Sequence, residues 1–182
     1  MPSPIAHGSV CLLTRGLGKS RAFAGLDAGQ WRVVKWGMLF SLVLPDVDFA
    51  LRAMWPGVAA FEHGMVMHSF AVAAVYGLFF AGLLRMVWRL PLLLMWCVGT
   101  GCYTVHIVMD MLTRGRGVMA FWPVFEGRIA SPMPLFYGAN HSRPWAIGLH
   151  MITLVTELMF AGAMWWIGGY FGKKKVEHAL SG

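Results

Sequence analysis

The sequence predicts an all-α fold, a bundle of about four membrane-crossing helices with a structured loop at one face. Three observations carry this. Of 182 residues, 58% are apolar and only 13% charged, about half the charged share of a soluble domain. Three stretches of more than twenty residues are almost free of charge, and about 20 apolar residues cross a bilayer. The segments between them are rich in proline and glycine, which interrupt helices.

Taken in order, residues 5–13 are apolar but too short to cross a membrane alone, and without a basic flank they do not read as a cleavable signal peptide. The first span is placed at 33–45, interrupted by Lys35, and it crosses if Trp31, Arg32 and Lys35 snorkel toward the interface. Spans over 65–88 and 90–112 are joined through Arg89, so they form a tight helical hairpin. Residues 113–144 hold Gly115, Gly117, Gly127, Gly138 and four prolines, and read as a structured loop. The last span covers 145–171, with His150 and Glu157 inside it. All of this fits one membrane domain over 1–182.

The net charge is +7. On a chain this apolar, basic residues serve the positive-inside rule and anionic lipid head groups, so lipid is the expected partner and nucleic acid is not. If Lys173, Lys174 and Lys175 are cytoplasmic, ten of the fifteen Lys and Arg fall on that side, including Arg85, Arg89 and those from Arg15 to Lys35. The C-terminus is then cytoplasmic, and residues 45–63 and 113–144 lie on the other face. Cys11, Cys97 and Cys102 form no metal motif, and their odd number argues against a disulfide framework.

Polar residues gather on that second face. Asp46 and Asp48 follow the first span, Glu62, His63 and His68 precede or begin the second, and His106 and Asp110 end the third; Glu126 and His141 lie in the loop after it. Five of the eight acids belong to this set. His106 and Asp110, four apart on a helix, project from adjacent turns and can share a divalent ion or hold two neighbouring ones. Asp46 and Asp48 after Pro45 suit one side of an extended turn, while His63 is expected in the loop and His68 in the first helical turn. Imidazole and carboxylate without thiolate favour zinc, with manganese or iron as alternatives. Several carboxylates meeting several histidines suit a two-metal centre that activates water. A plain polar bridge between helices competes with this for His106 and Asp110. A bis-histidine haem site from His68, His106 and His150 is the other rival, although it leaves the acids unexplained. Glu157, an ionisable group mid-span, is costly and reads as functional or as a helix-to-helix partner.

The order Leu44-Pro45-Asp46-Val47-Asp48, His63-Gly64, His68-Ser69, His106-x-x-x-Asp110-x-x-Thr113, Gly117-Val118, Trp122-Pro123 resembles the YdjM-like family, described as LexA-regulated, membrane-bound, metal-dependent hydrolases. The likeness runs from about residue 5 to 134 and is most specific from His106 to Pro123. It implies a helical protein of the bacterial inner membrane, and a histidine near the start that His7 supplies. A looser likeness to zinc-dependent phospholipase C suggests phosphoester chemistry on lipids. Three departures stand out: His63 is displaced by one position against the family's motif, Met67 replaces a threonine, and Phe49 stands where a histidine is common.

Two functions follow. The first is a metal-dependent hydrolase of a phosphoester or lipid head group. In it Asp48, His68, His106 and Asp110 ligate the metal with His63 and His7, Asp46 is catalytic, and Arg114 or Arg116 clamps a phosphate unless both are solvated loop charges. The second is a non-catalytic accessory subunit packed against other membrane subunits.

Overall fold

Asp27 starts the first long helix through a capping box: its carboxylate accepts from the Gln30 N–H at 2.8 Å, and the Gln30 side chain accepts from the Asp27 N–H at 3.1 Å. Two orphan donors at the helix start are thereby satisfied. The computed structural model describes residues 4–18, 20–138 and 147–180, with side chains as far as residue 172. Among these the regular elements are helical: α1 (Pro4–Ser9), α2 (Thr14–Leu17), α3 (Ala28–Val43), α4 (Asp48–Met54), α5 (Phe70–Trp88), α6 (Leu92–Met111) and α7 (Ile147–Leu180). Short 3-10 turns cover Val10–Leu13, Leu44–Val47 and Val66–His68.

Among the described residues three helices are long and apolar enough to cross a membrane: α5, α6 and the Ile147–Gly172 part of α7. Placed at 33–45 from hydropathy, α3 begins five residues earlier because its cap lies at Asp27. Its 16 residues span about 24 Å at about 1.5 Å each, less than the ~30 Å hydrocarbon core. Its ends place it in the bundle. Gln30 donates to the Trp88 carbonyl at 3.2 Å, beside the α5–α6 turn, and the Leu42 carbonyl meets His106 near the far end of α6.

The hairpin turn forms as the spacing predicts. Arg89 adopts a left-handed φ of 55°, and the Leu90 N–H reaches back to the Leu84 carbonyl, a Schellman-type stop that Pro91 prevents from continuing. Leu90 is fully buried below it. Val34, Met38 and Leu42 of α3 pack with Phe80 and Leu84 of α5 and Met95 of α6 in one apolar cluster. Outward-facing Phe79, Met86, Leu93, Met159 and Trp166 remain exposed, as side chains solvated by lipid do.

The N-terminal residues, too short to cross alone, run as consecutive helical turns from Pro4 to Leu17 along α7. Glycine makes the close approach possible. A Cβ on Gly168 would strike the Leu12 carbonyl, and one on Gly16 would lie 3.1 Å from the Gly168 carbonyl. Small residues let membrane helices meet backbone to backbone in this way. The segment carries His7 to the same end of the bundle as Asp110.

Residues 113–138 form the ordered loop that their glycines and prolines predict; 139–144 lie outside the described residues. Its backbone caps helix ends. Ser131 and Leu135 N–H groups donate to the Met111 and Leu112 carbonyls at 2.8 and 2.7 Å, and the Ala120 carbonyl accepts from the first N–H of α5 at 2.9 Å. Val118 and Ile129 pair as an antiparallel bridge.

Candidate metal centre

The site assembles at the end where α3 and α6 finish and α5 begins. Two local details differ from the sequence reading. Asp46 sits in the 3-10 turn Leu44–Val47 and Asp48 opens α4, so this segment is helical rather than extended; Pro45, with its fixed φ and missing N–H, suits a first turn. His68 lies in the 3-10 turn before α5 instead of in its first turn, because the Ser69 side chain caps that helix.

His7, Asp48, His68 and His106 are fully buried, Asp110 is nearly so, and His63 and Asp46 face the open side with side chains 20% and 11% exposed. The functional atoms converge. The Asp110 carboxylate places Oδ2 at 2.9 Å from His68 Nε2, 3.4 Å from His106 Nε2 and 3.7 Å from His63 Nε2, and Oδ1 at 3.6 Å from His7 Nε2. Asp46 Oδ1 is 3.5 Å from His106 Nε2 and 4.0 Å from His68 Nε2. Two ligands of one zinc ion, each about 2.1 Å from it in tetrahedral geometry, stand about 3.4 Å apart.

Tautomers sharpen the point. His106 Nδ1 lies 2.7 Å from the Leu42 carbonyl; a carbonyl only accepts, so the proton is on Nδ1 and Nε2 carries a lone pair. Asp48 plays the equivalent part for two rings. Its carboxylate accepts from His63 Nδ1 at 3.1 and 3.2 Å, and one oxygen lies 3.2 Å from His68 Nδ1, off the hydrogen-bond line. With His106 Nδ1 bound to the Leu42 carbonyl and the Asp48 carboxylate drawing a proton toward His68 Nδ1, the two rings aim Nε2 lone pairs at each other across 3.2 Å. Two facing lone pairs repel unless a cation, a proton or a metal ion, lies between them.

The buried polar atoms support the same conclusion. Both nitrogens of His7 and both oxygens of Asp46 and Asp110 have no hydrogen-bond partner in the fold, although such groups are costly to bury unsatisfied. Among the described residues two groups are able to hold a metal ion: Asp46, His63, His68 and Asp110 form one, and His7, His106 and Asp110 the other. Asp110 belongs to both. Asp48 belongs to neither, since its oxygens face Nδ1 rather than Nε2 atoms. Burial alone would raise the Asp48 carboxyl, but the hydrogen-bonded His63 and the adjoining His68 ring outweigh it and hold it below its usual range. Burial dominates at Asp46 and pushes its carboxyl up.

Around this centre the rings lock together. His7 stacks on His106 with centroids 3.8 Å apart, and Phe49 stacks on His63 at 4.7 Å, so the phenylalanine at the family's histidine position covers a ring of the site. Arg128, which the sequence left unremarked, donates to the Gly117 carbonyl at 3.0 Å and to the His63 carbonyl at 3.2 Å. Gly64, with φ of 78°, permits this, because a Cβ there would lie 2.8 Å from Arg128 Nη1. Only that lone glycine beside His63 hinted at so tight a turn.

Other candidates fall elsewhere. Glu62 and Glu126 join neither group, and Arg114 and Arg116 are exposed beyond the end of α6. His141 lies outside the described residues. Glu157 is buried on α7, and His150, one helix face along, is half-buried. For haem, the 3.2 Å between His68 and His106 Nε2 leaves no room for a macrocycle.

Fold and site together define a polytopic helical membrane protein with a buried histidine–aspartate centre able to hold a divalent metal ion. Residues 6–176 match the family model of the YdjM inner membrane protein, and the chain belongs to that family. No curated protein and no solved structure matches it.

Proposed function

We propose that this protein is a membrane-embedded, divalent-metal-dependent hydrolase acting on a phosphoester, with a lipid head group as the natural substrate. The observation that carries it is the pair of Nε2 lone pairs on His68 and His106 held face to face beside Asp110. When bound, the metal would supply Lewis-acid polarisation of a phosphoryl oxygen and a water made acidic enough to ionise near neutral pH. Zinc suits the nitrogen and oxygen donors best, and manganese or iron suits them next. Because the two ligand groups share Asp110, its carboxylate would serve both sites if each held an ion.

The remaining chemistry belongs to the chain. Asp46 stands at the open side with one oxygen toward the histidines, and burial has already raised its carboxyl, which fits it to accept a proton from an incoming water. His63 and Phe49 border the same opening. Arg114 is exposed just past the site, within the loop that caps α6, and is the cation we assign to hold the phosphate. The excess of basic residues at the opposite end supports a site at the non-cytoplasmic surface of the inner membrane.

The test is metal analysis of protein purified without chelator, followed by phosphoester hydrolysis before and after chelation. Two equivalents of metal, with activity lost on chelation and restored by zinc, are expected. Protein without metal that binds none on reconstitution would overturn the reading and leave an accessory role in a larger membrane complex.

A further inference from the structure

Resting on that metal reading, the geometry points to a division of labour between the two neighbouring aspartates: Asp48 is a positioning residue that holds His63 and His68 by their Nδ1 atoms, and Asp46 is the carboxylate that faces the metal. The sequence reading makes Asp48 a ligand and Asp46 catalytic, although two identical side chains two residues apart give no local ground for that choice. Helical geometry separates them. Asp46, within the Leu44–Val47 turn, points Oδ1 toward the Nε2 atoms of His106 and His68 at 3.5 and 4.0 Å, and its Oδ1 lies 4.0 Å from His63 Nδ1. Asp48, opening α4, is fully buried behind the rings. Both of its oxygens lie within 3.2 Å of His63 Nδ1, and one also reaches His68 Nδ1 at 3.2 Å.

One carboxylate serving two rings has a chemical meaning. An Asp48 anion accepts the Nδ1–H of His63 and lies 3.2 Å from His68 Nδ1, a charge contact that favours a proton on that nitrogen, so both rings favour the tautomer that leaves Nε2 free. It also sets the rotation of both rings, which stand nearly edge to face at 81° with centroids 4.4 Å apart. Carboxylates behind metal-bound histidines orient them and raise their basicity, and losing one costs about ten- to a hundredfold in metal affinity. Here a single substitution disturbs two histidines. An asparagine at 48 offers one accepting oxygen and one NH2 group, and the NH2 group cannot accept an Nδ1–H.

The experiment is cobalt titration of the purified full chain in detergent, read by ligand-field absorption, for wild type, Asp48→Asn and Asp46→Asn. Asp48→Asn should keep the band shape and the number of ions but need about ten- to a hundredfold more free cobalt. Asp46→Asn should change the band itself, because a coordinating oxygen is lost. The inference is overturned if Asp48→Asn titrates like wild type, or if Asp48→Asn changes the band and Asp46→Asn does not. Should Asp48→Asn fail to fold, Asp46→Asn still decides: an unchanged cobalt band there refutes Asp46 as the metal-facing carboxylate. Wild-type protein that takes up no cobalt would bring down the metal reading itself, a result distinct from either mutant pattern.

Discussion

His7 and His106 lie face to face, ring centroids 3.8 Å apart and planes 15° from parallel, joining the start of the chain to the end of its second hairpin helix. Both nitrogens of the buried His7 ring lack hydrogen-bond partners, a cost that is difficult to explain by packing alone. If His7 completes the second ligand group, His7→Ala removes one ion of two and leaves the other. Metal counting per chain by mass spectrometry checks this, and an unchanged count would exclude His7 as a ligand.

Asp110 is the one carboxylate common to both groups. Asp110→Asn keeps its shape and removes its charge, so both ions should be lost while α6 stays helical and the protein still inserts. Circular dichroism and metal content on the same sample separate the two effects. Full metal content in this variant would show that Asp110 only bridges helices.

Metal uptake should depend on pH through His68. Burial alone would lower its pKa, but the carboxylates of Asp110 and Asp48 outweigh it and raise it to about 9. A metal ion takes Nε2 only after that proton leaves, so apparent affinity should climb about tenfold per pH unit from pH 6 to 8.5. In metal-free protein the sign is opposite. A raised folded-state pKa contributes stability in full below about 6.5, the unfolded value, and that contribution disappears as pH rises through about 9. Melting in detergent after chelation should therefore fall across this window, whereas metal-loaded protein should not show the fall.

Arg128 ties the His63 turn to the loop after α6 through two backbone carbonyls. Arg128→Ala should cost about 1–3 kcal/mol, less than two full bonds from a charged donor because the guanidinium is partly solvated. Denaturant unfolding measures this. Metal affinity should also weaken, since His63 loses its anchor.

Topology is open to cysteine labelling in a cysteine-free background. Ala59→Cys and Val124→Cys, both at exposed positions, should label from one side of the membrane and Arg89→Cys from the other. Labelling of Ala59→Cys and Val124→Cys from opposite sides would break the single site apart.

Much of this was legible because membrane proteins write their constraints plainly. The charge-free runs located α5, α6 and α7, and the single residue between the two runs dictated a hairpin. The four-residue spacing of His106 and Asp110 put both on one helix face, and their Nε2–Oδ2 distance of 3.4 Å follows from it. The start of α3 was missed because its signal is a capping box at Asp27 and Gln30, while hydropathy registers only apolar residues. The helical turns of Pro4–Leu17 were not legible because their placement depends on packing against α7 through Gly16 and Gly168, a long-range contact without local pattern. Asp46 and Asp48 could not be told apart for a related reason. A 3-10 turn rotates successive side chains by about 120°, so residues two apart diverge, whereas an extended strand would have aimed them together.

The sharing of Asp110 also bears on how the protein is made. Every member of the two ligand groups lies between residues 7 and 110, whereas Arg128 and α7, which brace the centre, come later in the chain. During synthesis the four histidines and Asp46 precede the carboxylate that joins them, and that carboxylate arrives at the trailing end of α6. An acid there is a poor passenger for insertion into lipid, and the imidazoles already made are the groups that can receive it. The order of synthesis thus puts every imidazole of the centre into the chain ahead of the one carboxylate that joins them.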